Sequence, residues 1–358
     1  MSTPADAPPE DPATRDAVQL HAPFLLFLGE STSRLDCKTA VGIAHWRPEK
    51  CVGVLSLSPA PAAERPVDLA QMTVEQAKEA GARTLVIGTV SAGGFLPDSW
   101  MPTLLEATRQ GLDIASGMHQ RLTAHQELRE AAEQAGTRLL DVRDPELWQG
   151  GRPWRVGTGE RRAGKRILTV GTDCNIGKMY AALALHRGLV DAGEAADFKA
   201  TGQTGILIEG HGVPVDAVVS DFIAGAIEAL SPSDPGHTHV LEGQGSLHHP
   251  AFAGVSLGLL HGAQPDGLVI CHEPTRSHMR HVPHLAPPSL AETAELNLLH
   301  ARRTNPDVRV LGFSVNTSLL DDVLARDLLW EIEDEFSLPA VDPIRTGVDG
   351  LVKSWQNG

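Results

Sequence analysis

The stretch Lys165–Leu189, KRILTVGTDCNIGKMYAALALHRGL, constrains this chain more than any other. Arg166 to Val170 is a short apolar run of the kind a buried strand makes. Gly171-Thr172-Asp173-Cys174-Asn175-Ile176-Gly177-Lys178 follows at once, and Ala- and Leu-rich sequence with helical spacing comes next. Strand, Gly-framed loop ending in Gly-Lys, and helix together form a phosphate-cradling arrangement. The first turn of a helix has N–H groups without internal partners, and the helix dipole adds partial positive charge there. Glycines let the backbone wrap an anion closely, and Lys178 adds a full charge. A phosphorylated ligand is expected on Gly171–Lys178 and the adjoining Met179.

Two departures qualify that expectation. Five residues separate Gly171 from Gly177, one more than in the common pattern. Met179 stands where a nucleotidase has the Ser or Thr whose hydroxyl binds Mg²⁺, and a thioether is a poor ligand for a hard cation. Phosphate binding is therefore expected at this loop, and a magnesium requirement is not.

A length of 358 residues suggests two domains of ordinary size. A net charge of −15 disfavours non-specific binding to nucleic acid or to an anionic membrane. Cys37, Cys51, Cys174 and Cys271 lie far apart without paired spacing, which suggests a reducing cytosol rather than a disulfide framework or zinc knuckle. The N-terminus has no basic region followed by an apolar core, and no apolar run approaches bilayer-spanning length. A cytoplasmic protein acting on small molecules is the expectation.

Residues 1–20, rich in Pro, Ala and Asp, read as a disordered tail. Residues 21–145 then alternate strands at Phe24–Leu28, Val52–Leu57, Thr84–Ile87, Leu112–Ala115 and Arg138–Leu140 with helices at Thr73–Ala80, Trp100–Gln110 and Leu122–Ala135. Residues 146–164 show no clear period and read as a linker. Over residues 165–358 the alternation restarts, with strands near Arg166–Val170, Ala195–Lys199, Thr238–Leu241, Gly267–Cys271 and Val308–Val315. The matching helices are Gly177–Asp191, Asp221–Leu230, Phe252–Leu260, Ser289–Ala301 and Ser318–Glu335. Ser289 with Glu292 and, more weakly, Ser318 with Asp321 carry capping signatures. Each domain reads as a three-layer α/β unit around a parallel sheet.

In such a sheet the ligand sits beyond the C-terminal ends of the strands, which turns strand ends into a shortlist. The second strand of the second domain ends in Lys199, followed by Thr201 and Gln203 in a polar, Gly-rich turn that can bind an anionic substrate or be a plain solvated loop. The third ends in Glu242-Gly243-Gln244-Gly245-Ser246-Leu247-His248-His249. Glu242 is the leading candidate for a general base and His248 the next; the alternative for Glu242 is a structural carboxylate bonded to loop amides. Arg276 and Arg280 follow the fourth strand and can clamp a carboxylate, or be surface charge. His278, His281 and His284 are spaced three apart, but Pro283 breaks a helical face and no carboxylate completes a HExxH pattern, so no metal is expected. Gly88–Gly94 in the first domain lacks a GxGxxG frame and is a weak dinucleotide signal.

The second domain resembles the dethiobiotin synthetase group of phosphate-loop proteins. Gly171-Thr172-Asp173…Gly177-Lys178 has that group's spacing, and Glu242-Gly243-Gln244-Gly245 is similar to its Glu-Gly-Ala-Gly stretch. The resemblance implies a substrate- and phosphate-binding role for Lys199 and a metal- and substrate-binding role for Glu242; Met179 departs from the group's Thr. A fuller resemblance covers nearly the whole chain. It is to a bacterial family long catalogued as a domain of unknown function, one branch of which is the D-glutamate, or D-amino acid, N-acetyltransferases. It is carried by Lys38-Thr39-Ala40 with Trp46-Arg47-Pro48, Gly111-Leu112-Asp113 with Ser116-Gly117-Met118-His119, and Gly171–Met179. Leu241–Ser246 and Pro274-Thr275-Arg276 belong to the same set, and Met after Gly-Lys is expected there. The resemblance implies an N-terminal Rossmann-like domain, a C-terminal P-loop NTPase-like α/β/α domain and acetyl-CoA as donor.

The reading that follows is an acetyl-CoA-dependent N-acetyltransferase of an acidic D-amino acid, expected as a homo-oligomer. Glu242 or His248 is the base, with Lys199 beside them in the catalytic set. Lys199, Thr201, Gln203, Arg276 and Arg280 hold the acceptor, with Lys38 and Arg47 the next cations in line. An ATP- and magnesium-dependent carboxylase or ligase of the dethiobiotin synthetase type, and a CoA- or nucleotide-binding regulator without turnover, are the alternatives.

Overall fold

The computed structural model describes residues 19–61, 64–91, 94–149 and 153–357. The tail expected over residues 1–20 lies, apart from Gln19 and Leu20, outside the described residues. Two units divide the chain: residues up to Pro153 with Ile206–His211, and Trp154–Gly205 with Gly212–Gly358.

In the first unit, β1 (Phe24–Gly29), α1 (Lys38–Trp46), β2 (Cys51–Ser56), α2 (Val74–Glu79), β3 (Thr84–Ile87), α3 (Met101–Arg109), β4 (Asp113–Ser116), α4 (Gln126–Ala135) and β5 (Leu139–Asp141) follow in order. The sheet runs β2-β1-β3-β4-β5 with every pair parallel. β1 is FLLFLG, buried along its whole length, as a strand covered by helices on both faces must be. Leu25, Phe27, Leu85, Ile87 and Ile114 pack with Leu104 and Leu128 from the helices. α2 begins in a capping box between Thr73 and Gln76. Gly88, at the end of β3, admits α1: a Cβ there would sit 2.5 Å from that of Ala40.

The second unit holds β6 (Lys165–Gly171), α5 (Lys178–Asp191), β7 (Ala196–Lys199), α6 (Gln203–Glu209), α7 (Ile223–Leu230), β8 (Thr238–Leu241), α8 (Ala253–Ala263), β9 (Gly267–His272), α9 (Leu290–Ala301), β10 (Arg309–Val315), α10 (Asp322–Phe336), β11 (Ala340–Val341) and α11 (Asp349–Gln356), although the last residues of α6 belong to the first unit. Its sheet is parallel in the order β11-β10-β9-β6-β8-β7. β6 pairs with β8 on one side and β9 on the other, so the order of connections reverses at β6. Ligands of open parallel sheets sit at such a reversal, and here it is the strand that leads into the Gly171–Lys178 loop.

Both expected α/β units are present, with four elements the periodicity did not reveal. α1 starts at Cys37 without a capping side chain, and α11 starts likewise at Val348. β11 is two residues long. α6 carries Thr204 and Gly205, weak helix formers, in its first turn, where the sequence reads as a polar turn. One boundary needs correction: Asp321, accepting from the N–H groups of Val323 and Leu324, caps α10, while the Ser318 amide bonds Asn316 Oδ1. The segment read as a linker is anchored at its end. Arg162 donates to the carbonyls of Glu228 and Ser231 at the end of α7 and of Gly262 and Ala263 at the end of α8, groups a helix cannot satisfy internally. Among the described residues, no helix is long and apolar enough to cross a membrane.

Candidate functional site

β6 delivers Gly171 to the sheet edge, where a Cβ would lie 2.6 Å from the Cys271 carbonyl oxygen. The loop turns through Asn175, at φ +52, and Gly177, at φ +106. Gly177 is the N-cap of α5; no side chain caps that helix, and its first turn has no acidic residue. Its first N–H groups are thus left to an anion. Lys178 is buried and its Nζ donates to the Asp173 carbonyl at 2.6 Å. Burial lowers its pKa, a cost that a bound anion would offset.

Asp173 holds the loop in shape. It is fully buried; Oδ1 accepts from the Cys174 amide at 2.7 Å, and Oδ2 from Arg276 Nη1 at 2.6 Å and the Arg280 amide at 2.7 Å. Arg276 also donates to Glu273 Oε2, the Cys174 carbonyl and the Asn175 carbonyl at 2.8, 2.8 and 2.9 Å. Its guanidinium is engaged in building the loop. Arg280, in contrast, has a buried Nε with no hydrogen-bond partner.

Glu242 stands just past β8, 4% exposed. Its Oε2 accepts from the amides of Thr201 and Gly202 at 3.0 and 3.1 Å, and the Thr201 hydroxyl donates to the Glu242 carbonyl. Glu242 is therefore a structural anchor for the turn into α6, as the alternative reading had it. Burial pushes its pKa up to about 7, against the pull of the Thr201 and Gly202 amides. Gly243 lets this segment approach the loop, since a Cβ there would meet the Thr169 carbonyl at 1.6 Å and Lys178 Cδ at 3.1 Å.

Lys199 turns to Asp197, Nζ to Oδ2 at 2.8 Å. Gln203 opens α6. His248 has a buried Nε2 without a partner, and burial lowers its pKa. His249, beside the candidate His248, is held at both nitrogens, by the Arg280 carbonyl at 2.8 Å and the Ala251 amide at 3.2 Å. In the first unit, Arg47 pairs with Glu209 at 3.0 Å. A cavity of about 190 Å³ opens beside the loop, lined by Ile176, Gly177, Tyr180, Ser314 and Asn316. It is below the roughly 300–1,000 Å³ of drug-sized sites, so it suits one portion of a larger ligand.

Among the described residues, two groups of His, Cys and carboxylate side chains converge within ligand distance: Asp173, Cys174 and His249, and Asp197, His237 and His239. His278, His281 and His284 do not form such a group. In the first group the Arg276 guanidinium already occupies Asp173 and would repel a cation.

The Glu242 anchor predicts a specific coupling. A Cβ at Gly205 would lie 2.2 Å from Glu242 Oε2, so Gly205→Ala should cost about 1–3 kcal/mol of stability. Adding Glu242→Ala should recover part of that loss. Thermal unfolding of the two single variants and the double variant measures the coupling; additive losses would mean the carboxylate does not define this turn.

The comparisons with known proteins agree with this architecture. Residues 62–145 match the model of the DUF1611_N Rossmann-like domain, and residues 155–352 that of the DUF1611_C P-loop domain, both described as domains of unknown function. A D-glutamate N-acetyltransferase from Pseudoalteromonas sp is 46% identical over 94% of this chain and 99% of its own length. Another from Tritonibacter scottomollicae is 46% identical over 93% of this chain and 98% of its own. The crystal structure of a DUF1611 family protein from Anabaena variabilis superposes with a TM-score of 0.82 at 31% identity, covering 94% of this chain and 99% of that one.

Proposed function

The chain belongs to the DUF1611 family, and we propose that it is a D-glutamate N-acetyltransferase that uses acetyl-CoA as donor. The observation that carries this reading is 46% identity, along nearly the full length of both chains, to proteins bearing that activity in their name. The loop supports it. CoA carries a pyrophosphate and a 3′-phosphate, which give the α5 N-terminus and Lys178 an anion to hold, and the cavity beside Gly177 takes an adjoining part of the donor. Transfer begins when the acceptor ammonium loses a proton. The free amine attacks the thioester carbonyl, the C–S bond breaks, and the CoA thiolate leaves and is protonated. Glu242 is the base this reading favours, because its pKa of about 7 matches the task. Arg280 is the favoured clamp for an acceptor carboxylate, because Arg276 is engaged in the loop and Lys199 is paired with Asp197. No phosphoryl group moves, so Met179 in place of a magnesium-binding hydroxyl costs the reaction nothing. The free cysteines fit a reducing cytosol.

A thiol-release assay with acetyl-CoA against a panel of D- and L-amino acids tests the reading. D-glutamate should give the highest kcat/KM; release only in the presence of ATP would favour the ligase alternative, and tight acetyl-CoA binding without release a regulator.

Lys178→Ala should weaken acetyl-CoA binding by roughly 1.5–3 kcal/mol, the worth of a charge-assisted hydrogen bond, with the fold kept. Calorimetry on the folded variant decides it, and unchanged affinity would move the donor away from this loop.

A base with a pKa near 7 works only when ionised, so kcat/KM should rise about tenfold per pH unit below about 7 and level off above it. The Glu242→Gln variant should lack this limb. Stability should respond with the opposite sign. The raised pKa means that the fold favours neutral Glu242, so its contribution is full below the ordinary value and declines as pH rises through about 7. Denaturant unfolding across that window, wild type against Glu242→Gln, provides the second readout.

A further inference from the structure

We propose that Asp197, His237 and His239 form a zinc-class metal site on the β7–β8 edge of the second unit, and that metal and Lys199 compete for the Asp197 carboxylate. Parallel pairing sets Asp197 directly opposite His239, and His237 lies two residues earlier, on the same face. The two imidazole centroids are 5.1 Å apart. His239 Nδ1 is 2.8 Å from Asp197 Oδ1, and His237 Nε2 is 3.5 Å from Oδ2. Zinc bonds of about 2.0–2.2 Å place tetrahedral ligand atoms about 3.4 Å apart; the three ligand atoms all lie within 4.8 Å of one another, so side-chain adjustment on the scale of an ångström brings them to that spacing.

The hydrogen bonding points to a cation. His239 Nδ1 shares a hydrogen bond with Asp197 Oδ1, and a metal would replace the proton between them, with the Pro232 carbonyl at Nε2 holding the ring as outer partners of ligating histidines do. His237 differs: its Nε2, 3.5 Å from Asp197 Oδ2, is buried with no hydrogen-bond partner, and its Nδ1 lies 3.9 Å from Asp234 Oδ2. Two imidazoles and one carboxylate are a zinc-type donor set with a fourth position for water.

Lys199 makes the site conditional. Its ammonium lies 2.8 Å from Asp197 Oδ2, and a divalent cation at the same carboxylate repels it. Loading therefore frees Lys199, just before the Thr201–Gly202 turn that Glu242 anchors. A metal here departs from the metal-free expectation, because strand alternation across two paired strands is invisible to a search for helical histidine spacing.

The test uses the full-length protein after dialysis against a chelator. Zinc titration by calorimetry should give one ion per chain, and cobalt substitution should give visible bands of a four-coordinate site without a sulfur-to-cobalt charge-transfer band. His237→Ala, at a half-buried position, and the near-isosteric Asp197→Asn should each weaken binding at least about tenfold while the metal-free unfolding temperature is kept. Lys199→Ala should tighten zinc binding several-fold by removing the competitor. No uptake at micromolar zinc, a sulfur-to-cobalt band, or full affinity in the folded His237→Ala protein would overturn the site. Unchanged affinity in Lys199→Ala would overturn the competition.

Discussion

The buried Asp173 carboxylate is the interaction on which the Gly171–Lys178 loop depends. A charge removed from water is tolerated only with partners that replace its hydration. Asp173 finds them in the Cys174 amide, the Arg280 amide and the Arg276 guanidinium. These donors come from the loop itself and from the segment after β9, so the pair ties the loop to the neighbouring strand end. The Asp173 carbonyl, meanwhile, takes the Lys178 ammonium. One residue thus fixes both the path of the loop and the resting place of its lysine, and an anion binding there does not have to order the loop first.

Glycines let the strand ends converge on that anchor. Gly171 passes the Cys271 carbonyl, Gly243 passes the Thr169 carbonyl, and Gly205 passes the Glu242 carboxylate, each at a distance no side chain tolerates. As a result β6, β8 and the turn into α6 present Lys178, Glu242 and Thr201 within one compact region at the C-terminal edge of the sheet. The three are interdependent: Glu242 holds the turn by its amides, and Lys178 in turn helps hold down the Glu242 pKa.

Much of this was legible in the sequence, because the signals were local. The strand, Gly-framed loop and Ala-rich helix announce themselves between Lys165 and Leu189, and the apolar runs of both sheets mark two α/β units. Ser289 and Glu292 mark the start of α9 by a reciprocal bond confined to four residues. What stayed hidden depends on distant partners. α6 starts with Thr204 and Gly205 in its first turn, and the amides just ahead of it are held by Glu242, far along the chain. Arg276 was visible as a cation near the ligand face, but its engagement with three loop residues is a tertiary fact. The opposition of Asp197 and His239 exists only once β7 and β8 are paired in register.

The distribution of charge also bears on which chemistry the second unit suits. Phosphoryl transfer needs a cation between the phosphates, and the usual hydroxyl that positions it is replaced by Met179. Near the loop, the carboxylate that might have taken its place, Asp173, is neutralised by Arg276. Glu242 is drawn toward its neutral form by burial, which makes it a weak ligand for magnesium and a serviceable base near neutral pH. A loop able to hold phosphates without a hard-cation ligand, beside a carboxyl group poised to exchange a proton, has the components of an acyl transfer from a phosphorylated carrier. It lacks the metal-positioning hydroxyl on which nucleotide hydrolysis ordinarily relies, and this contrast is the physical reason the proposed reading puts a carrier's phosphates, rather than a reacting phosphoryl group, on the Gly171–Lys178 loop.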